Sequence, residues 1–310
     1  MSAGAALAEV SDKEPGKVQP SVINKRKLTP YLLLLPGVLW LAVFFVVPMF
    51  SLFGQSLQTG SFEEGYEQTF RFANYTEALS TYWPQFVRSF VYAGIATLLC
   101  LLIAYPLAYC IAFRSGRWKN ALLVLVIAPF FTSFLIRTLA WQTILSDSGI
   151  VTTTLNTLHV TDVMRFLGLT EGDRLLATPL AVITGLTYNF LPFMTLPIYA
   201  ALDRMDPRLI EAAQDLYSSP WTSFRKVTWP LSLAGVVAGT LLTFIPAAGD
   251  YINAQLLGAP AYRMIGNVID SQFFRVLDYP TAAALSFTLM ASILVLVSLY
   301  IRRAGTEELV

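Results

Sequence analysis

Residues 202–231 read LDRMDPRLIEAAQDLYSSPWTSFRKVTWPL and form a polar island between two strongly apolar segments. The pattern predicts two short helices inside this polar island. Asp206 can cap the first helix, because Pro207 then takes the first helical position, where a missing N–H costs nothing. Ser219 and Pro220 repeat the same pattern at the start of the second helix.

The first predicted helix is amphipathic. Its apolar residues follow the i, i+3, i+4, i+7 spacing of one helical face: Leu209, Ala212, Ala213 and Leu216. Glu211 and Asp215 lie one turn apart on another face, where two like charges destabilise a helix by about 0.2–0.5 kcal/mol. An acidic pair beside alanines favours a helix that docks against a basic surface. A solvated loop helix with unremarkable charges is the alternative.

The composition indicates a membrane protein. Of the 310 residues, 55% are hydrophobic and only 13% are charged, whereas a soluble domain has about 25% charged residues. The net charge of +1 comes from sparse, scattered charges, so nothing in the sequence indicates a nucleic-acid partner.

Six apolar segments are each long enough to cross a bilayer, which takes about twenty residues. They are Tyr31–Phe53, Val91–Phe113, Ala121–Trp141, Ala177–Ala201, Leu233–Leu257 and Thr281–Ile301. The sequence thus predicts an all-α integral membrane protein, with a tail at 1–30 and a transmembrane domain at 31–310. Prolines at 192, 197 and 246 predict kinked or broken helices of the kind that line a pathway.

The distribution of Lys and Arg sets the orientation of the spans. One side holds clusters in short segments: Lys25, Arg26, Lys27, Arg114, Arg117, Lys119, Arg204, Arg208, Arg225, Lys226, Arg302 and Arg303. The other side holds isolated arginines in longer loops: Arg71, Arg88, Arg165, Arg174, Arg263 and Arg275. Both termini and the polar island, which lies between the fourth and fifth spans, are therefore expected in the cytoplasm.

The loops on the other side carry some predicted structure of their own. Residues 70–75 are expected to be extended and residues 76–79 to start an interfacial helix. The loop 149–174 is expected to contain one short helix at about 153–161.

Two ionisable residues inside predicted spans are candidates for function, because such residues face protein or water rather than lipid. Arg137 lies near the end of the third span, as either a structural anchor or a contact for an external partner. Asp250 lies in the fifth span, where a cationic substrate could be its partner and Tyr251, Tyr188 and Phe244 could supply cation–π contacts. A structural, hydrogen-bonded aspartate is the alternative for Asp250.

The chain has no phosphate-binding loop, because no segment matches GxxxxGK[ST]. It is therefore expected to bind no cofactor and to catalyse no reaction. If transport is driven by ATP, then ATP and Mg²⁺ are bound by a separate subunit.

The polar island resembles the cytoplasmic EAA loop of binding-protein-dependent ABC importer permeases, which have a MetI-like transmembrane domain. The matching positions are Glu211, Ala212, Ala213, Asp215, Leu216, Phe224, Val227, Pro230 and Leu231. The resemblance implies that the first helix is a coupling helix, which inserts into a cleft of the ATP-hydrolysing subunit. One position departs from the family pattern, since Tyr217 stands where the family usually has a glycine suited to a left-handed turn.

Three further stretches resemble spermidine/putrescine importer permeases of the PotB type: 135–151, 189–216 and 265–274. The resemblance extends from the first span to the sixth and implies a core region at about 86–302. It also implies a complex of two different permease chains, two copies of an ABC ATPase subunit and an extracytoplasmic substrate-binding protein. Related permeases serve opines, aminophosphonates, thiamine or ferric iron, so these substrates are the alternatives to polyamines.

Two other classes of membrane protein compete with this interpretation. An ion-driven secondary carrier would show repeated halves and several charged residues within its spans. A membrane scaffold would not explain the prolines clustered near Asp250 in the fourth and fifth spans.

Overall fold

The structure is a computed structural model that describes residues 25–166, 170, 172–215 and 219–304. Most of the predicted tail, as well as Leu216 and Tyr217, lies outside these residues. The chain divides into two compact units, Met1–Leu52 and Phe53–Val310.

Fourteen α-helices and one hairpin make up the described residues. The helices are α1 Lys25–Leu41, α2 Val47–Ser56, α3 Ala73–Tyr109, α4 Lys119–Ile127, α5 Phe134–Leu145, α6 Ile150–Thr157, α7 Val160–Phe166, α8 Pro179–Asp203, α9 Pro207–Asp215, α10 Pro220–Ser223, α11 Trp229–Ala248, α12 Ile252–Leu257, α13 Ile265–Ser271 and α14 Tyr279–Ala304. The antiparallel hairpin pairs β1 Gln58–Ser61 with β2 Gly65–Gln68. Short 3₁₀ turns lie at 116–118, 128–131 and 260–262, and π turns at 42–46, 110–114, 224–228 and 272–276.

Five of the described helical segments are long and apolar enough to cross a membrane: Tyr31–Ser56, Ala73–Arg114, Pro179–Asp203, Pro220–Ala248 and Tyr279–Arg303. A sixth span results if the bent pair Gly116–Phe131 and Phe134–Thr157 is taken as one. The structure therefore confirms the predicted helical, multi-span architecture.

The third span predicted over Ala121–Trp141 is broken by a sharp bend. The two helical segments in this region meet at an angle of 95°. Pro129 lies in the 3₁₀ turn that follows α4, and Thr132 and Ser133 then have extended backbone angles. Proline disfavours continuation of the helix at this point, so the chain changes direction before α5 begins.

The predicted fifth span is too long at its end. α11 stops at Ala248 instead of continuing to Leu257, and the separate helix α12 follows after a break at residues 249–251. The Asp250 carboxylate accepts a hydrogen bond from the Asn253 N–H at 2.8 Å. A side chain that satisfies the backbone in this way favours the start of a new helix over continuation of the old one.

The structure also corrects the loops on the other side of the spans. The extended segments lie earlier than predicted, in the hairpin at 58–68 instead of at 70–75. α3 begins at Ala73 and runs into the second span with a kink at Tyr82. The loop 149–174 contains two helices, α6 and α7, where one was predicted. Asn74 links α3 to the end of α2 and to β1, because its Nδ2 donates to the Ser56 and Gln58 carbonyls at 2.9 and 2.8 Å.

The core lies where α3, α8 and α11 pack against one another. Small residues allow this close packing, as is common between membrane helices. Four alanines on α3 are fully buried: Ala93, Ala96, Ala104 and Ala108. On α11, a Cβ at Gly235 would lie 2.6 Å from the Pro197 carbonyl oxygen of α8. α11 begins in the polar island and ends at Ala248, so the polar island and the segment 249–278 lie at opposite ends of this helix.

Candidate functional site

The two helices of the polar island begin where the sequence predicts. Asp206 Oδ1 accepts a hydrogen bond from the Arg208 N–H at 3.0 Å at the start of α9. Ser219 Oγ accepts one from the Thr222 N–H at 3.2 Å at the start of α10. Side-chain caps of this kind satisfy N–H groups that have no partner inside the helix.

The exposed face of α9 carries acidic and apolar residues together. Glu211, Ala212 and Asp215 are exposed. No salt bridge involves Glu211 or Asp215 within the part of the chain that the structure describes. We call the surface formed by Leu209, Glu211, Ala212 and Asp215 the coupling face. Such a face is suited to a partner that offers both a basic group and an apolar pocket.

The apolar face predicted for α9 is rotated relative to the observed one. Leu209 is 48% exposed, whereas Ile210 packs against the core and Ala213 is half-buried. α9 has only nine residues, and it contacts α10 and the π turn at 224–228. Its rotation therefore reflects tertiary packing, which the spacing of apolar residues does not show.

Phe224 connects the polar island to the spans. Its ring lies 5.4 Å from Trp221, 5.6 Å from Tyr105 on α3 and 6.3 Å from Trp229 on α11, measured between ring centroids. The Tyr105 hydroxyl in turn lies 2.8 Å from Ser232 Oγ on α11. Pro230, the next matching position of the loop motif, is half-buried in the first turn of α11. Packed aromatic rings therefore join the polar island to two spans, α3 and α11.

A salt bridge that no sequence pattern indicates lies at the end of α8. The Lys119 ammonium contacts the Asp203 carboxylate and also lies 5.6 Å from the centre of the Tyr199 ring. The two charged residues are 84 positions apart, so only the fold brings them together. This contact fixes the chain just before α9 begins.

Arg137 has an unusual environment on α5. Its Nε and one terminal nitrogen are buried and have no hydrogen-bond partner among the described residues. Its guanidinium carbon lies 5.7 Å from the centre of the Phe134 ring. A buried guanidinium nitrogen without a hydrogen-bond partner is costly.

The three aromatic candidates occupy different places. Tyr188 lies 5.3 Å from Trp141 between ring centroids and borders an apolar cavity of about 210 Å³ between α4 and α8. Phe244 stacks on Phe90 at 6.2 Å and belongs to the contact between α11 and α3. The Tyr251 ring is 42% exposed, and its carbonyl accepts from Asn267 Nδ2 at 2.7 Å.

Asp250 is buried just beyond the end of α11, with 8% of its surface exposed. The hydrogen bond that it accepts from the Asn253 N–H gives Asp250 a structural role at the start of α12, which is one of the two roles expected from the sequence.

Three buried polar side chains, which sequence reasoning missed, form a hydrogen-bonded cluster that reaches Asp250 through Asn253. Asn189 Nδ2 donates to Thr138 Oγ1 at 3.2 Å and to Asn253 Oδ1 at 3.1 Å. We call these three residues the amide cluster; each is at most 1% exposed. Asn189 Oδ1 and Asn253 Nδ2 have no partner among the described residues. The cluster joins α5, α8 and α12 with hydrogen bonds between residues far apart in sequence, so no local pattern could reveal it.

Substituting Gly185 by valine is expected to weaken the packing of α8 against α12. A Cβ at Gly185 would lie 2.4 Å from Leu257 Cδ1 and 2.8 Å from Asn253 Oδ1. Overpacking of this kind costs about 1–3 kcal/mol. The midpoint of thermal unfolding of the purified complex should therefore fall. Gly94→Val is the matched control, because no atom outside its own helix backbone lies within 4 Å of a Cβ there. An equal midpoint for the two variants would contradict this account of the cluster.

Comparison with known proteins identifies the family. Residues 101–304 match the family described as binding-protein-dependent transport system inner membrane component. The spermidine/putrescine transport system permease protein PotB of Haemophilus influenzae is 36% identical over 264 residues, which cover 85% of this chain and 90% of that protein. PotB of Escherichia coli is 36% identical over 252 residues, covering 81% of this chain and 88% of that protein.

A solved structure shares the fold. The bacterial alginate ABC transporter, in complex with alginate pentasaccharide-bound periplasmic protein, contains a chain that matches with a TM-score of 0.65 and 19% identity. The match covers 92% of this chain and 96% of that one. The family match over residues 101–304, the 36% identity with PotB and the apolar helices establish the family. The chain belongs to the multi-pass inner-membrane permease components of binding-protein-dependent ABC importers.

Proposed function

We propose that this chain is the permease subunit of an importer for polyamines such as spermidine and putrescine. The observation that carries the proposal is the 36% identity with PotB proteins across most of both chains. That identity covers too much of the chain to reflect a shared membrane architecture alone. The substrate class follows from the names of these relatives, and the arrangement around Asp250 supports it.

The coupling face is the proposed docking site for the ATPase. Its two acidic residues have no salt-bridge partner in the described part of this chain, so a basic surface on another subunit can pair with them. Two copies of that ATPase, which hold ATP and Mg²⁺, would serve this permease and a second, different permease chain. Closure of the ATPase pair would push on α9, and Phe224 would transmit the movement to α3 and α11. Leu216 and Tyr217 belong to the same proposed contact, although both lie outside the described residues.

Asp250 and the amide cluster are the proposed polar part of the substrate path. Primary amines have pKa values near 10.4, so a polyamine is a polycation at neutral pH. A carboxylate and an amide oxygen without a partner are the acceptors that an ammonium group needs. Tyr251 and Tyr188 can add cation–π contacts, whereas Phe244 lines the contact between α11 and α3.

Arg137 is a poor contact for a cationic solute, because its guanidinium would repel it. Its partnerless nitrogens therefore favour a contact with a second protein chain. The second permease and the substrate-binding protein are the two subunits that the proposed complex offers.

The proposal is tested by uptake of labelled putrescine and spermidine in cells with and without this chain. We expect uptake to be lost with the chain and restored by its re-expression. Unlabelled polyamines should compete for uptake, and amino acids and sugars should not. Unchanged polyamine uptake in the deletion strain would overturn the proposed substrate, and competition by an opine, an aminophosphonate, thiamine or ferric iron would identify a replacement.

A further inference from the structure

A small polar pocket lies in the segment between α11 and α14, at the end of α11 opposite the polar island. We call it the outer pocket. Its volume is about 140 Å³, and its polar lining consists of Gln255, Arg263, Asn267, Asp270, Ser271 and Arg275. Binding pockets for whole small molecules have volumes of about 300–1,000 Å³. The outer pocket therefore has room for a side chain but not for a whole solute.

The pocket has a surplus of positive charge. Two of its residues are arginines and one is an aspartate, and none of the three has a salt bridge among the described residues. Three other outer arginines do have carboxylate partners: Arg71 pairs with Glu77 at 2.6 Å, Arg165 with Asp162 at 2.5 Å and Arg174 with Asp147 at 2.8 Å. Arg263 and Arg275 are thus exposed cations without a carboxylate partner.

The backbone around the pocket is firmly held. Arg88 on α3 donates to the Arg263 carbonyl at 2.9 Å, and Ser89 Oγ accepts from the Ile265 N–H at 2.7 Å. A Cβ at Gly266 would lie 2.6 Å from the Gly249 carbonyl oxygen, so this turn packs tightly against the end of α11. A pocket on a fixed backbone loses little entropy when it binds a partner.

We propose that the outer pocket receives an acidic side chain of the extracytoplasmic substrate-binding protein. This inference rests on the proposed function, because that function places the pocket on the side where the binding protein docks. Arginine forms paired hydrogen bonds with carboxylates, so Arg263 and Arg275 together suit an aspartate or glutamate on the docking surface. The same segment packs onto the end of α11 beside Asp250, so docking here acts directly on the proposed path.

The test uses the complete transporter, reconstituted in lipid nanodiscs, and measures ATP hydrolysis as a function of binding-protein concentration. In the double variant R263Q/R275Q, we expect the half-saturating concentration of loaded binding protein to rise by about tenfold. The maximal rate at saturating binding protein and the basal rate without it should stay at the wild-type level. The salt dependence of half-saturation should also decrease, since screened ion pairs are lost.

Two further variants serve as controls. R263K/R275K keeps both charges, and we expect it to retain most of the affinity. Arg71→Gln removes an outer arginine that already has a carboxylate partner, and it should not change half-saturation. An R263Q/R275Q complex with wild-type half-saturation would overturn the inference. The inference would also be overturned, in favour of a lipid phosphate, if the ATPase rate depended on the fraction of anionic lipid while R263Q/R275Q left the half-saturating concentration of binding protein unchanged.

The wild-type complex separates failure of this inference from failure of the proposed function. A wild-type complex that loaded binding protein does not stimulate would overturn the proposed function, and this inference with it. A stimulated wild type beside an unaffected double variant would overturn the inference alone.

Discussion

Replacing Glu211 by arginine is expected to abolish solute uptake while the chain still inserts into the membrane. Glu211 is exposed on the coupling face and has no salt bridge within the described residues, so its substitution costs this chain little stability. A reversed charge at the docking surface would face the basic surface of the ATPase and repel it. ATP hydrolysis should therefore no longer drive transport. The measurements are the uptake of labelled solute and the ATPase rate of the same variant.

The matched control is Glu64→Arg at the tip of the β-hairpin. Glu64 is also exposed, and it is remote in the chain from the polar island. This variant should transport at the wild-type rate, and Glu211→Gln should fall between wild type and Glu211→Arg. Normal uptake by Glu211→Arg, at normal expression, would remove Glu211 from the docking surface.

Replacing Asp250 by asparagine is expected to reduce polyamine uptake by about tenfold or more, because a buried acceptor for an ammonium group loses its charge. Asparagine keeps an oxygen that can accept from the Asn253 N–H, so α12 should still form. The measurement is the initial rate of uptake over a range of polyamine concentrations, together with the yield of assembled complex. Asp250→Glu retains the charge and should retain more activity than Asp250→Asn.

Asp278 provides a control for the capping role. Its Oδ1 accepts from the Thr281 N–H at 3.2 Å, so it starts α14 much as Asp250 starts α12. Asp278→Asn should leave uptake near the wild-type level. Equal losses in Asp250→Asn and Asp278→Asn would mean that both aspartates act only as helix caps, and would contradict the assignment of Asp250 to the path.

Local patterns were sufficient to predict the regions of the spans and the two caps of the polar island. The apolar runs identified these regions, and Asp206 and Ser219 cap their helices as their positions before Pro207 and Pro220 indicate. Hydropathy could not locate the breaks at Thr132 and Gly249, because only a few polar residues interrupt the apolar runs there, although Pro246 indicated a kinked or broken fifth span. It also missed the hairpin at 58–68, whose strands are short and largely polar.

The candidate site depends on contacts between distant residues, which explains what the sequence did not show. Asn189 and Asn253 look unremarkable in their own segments, and only the packing of α8 against α12 joins them. The salt bridge between Lys119 and Asp203 is similar in this respect. The rotation of α9, which packs Ile210 against the core in place of Leu209, is likewise a matter of contacts between distant residues.

The most direct test of the central claim is ATP-driven accumulation of labelled spermidine in proteoliposomes. These would contain this chain, its partner permease and the ATPase, with the loaded binding protein on the side opposite the ATPase. The account predicts accumulation that requires ATP and binding protein, and that is absent when Glu211→Arg replaces the wild-type chain. Accumulation that continues without ATP and responds to an ion gradient would contradict the account, because it would identify a secondary carrier.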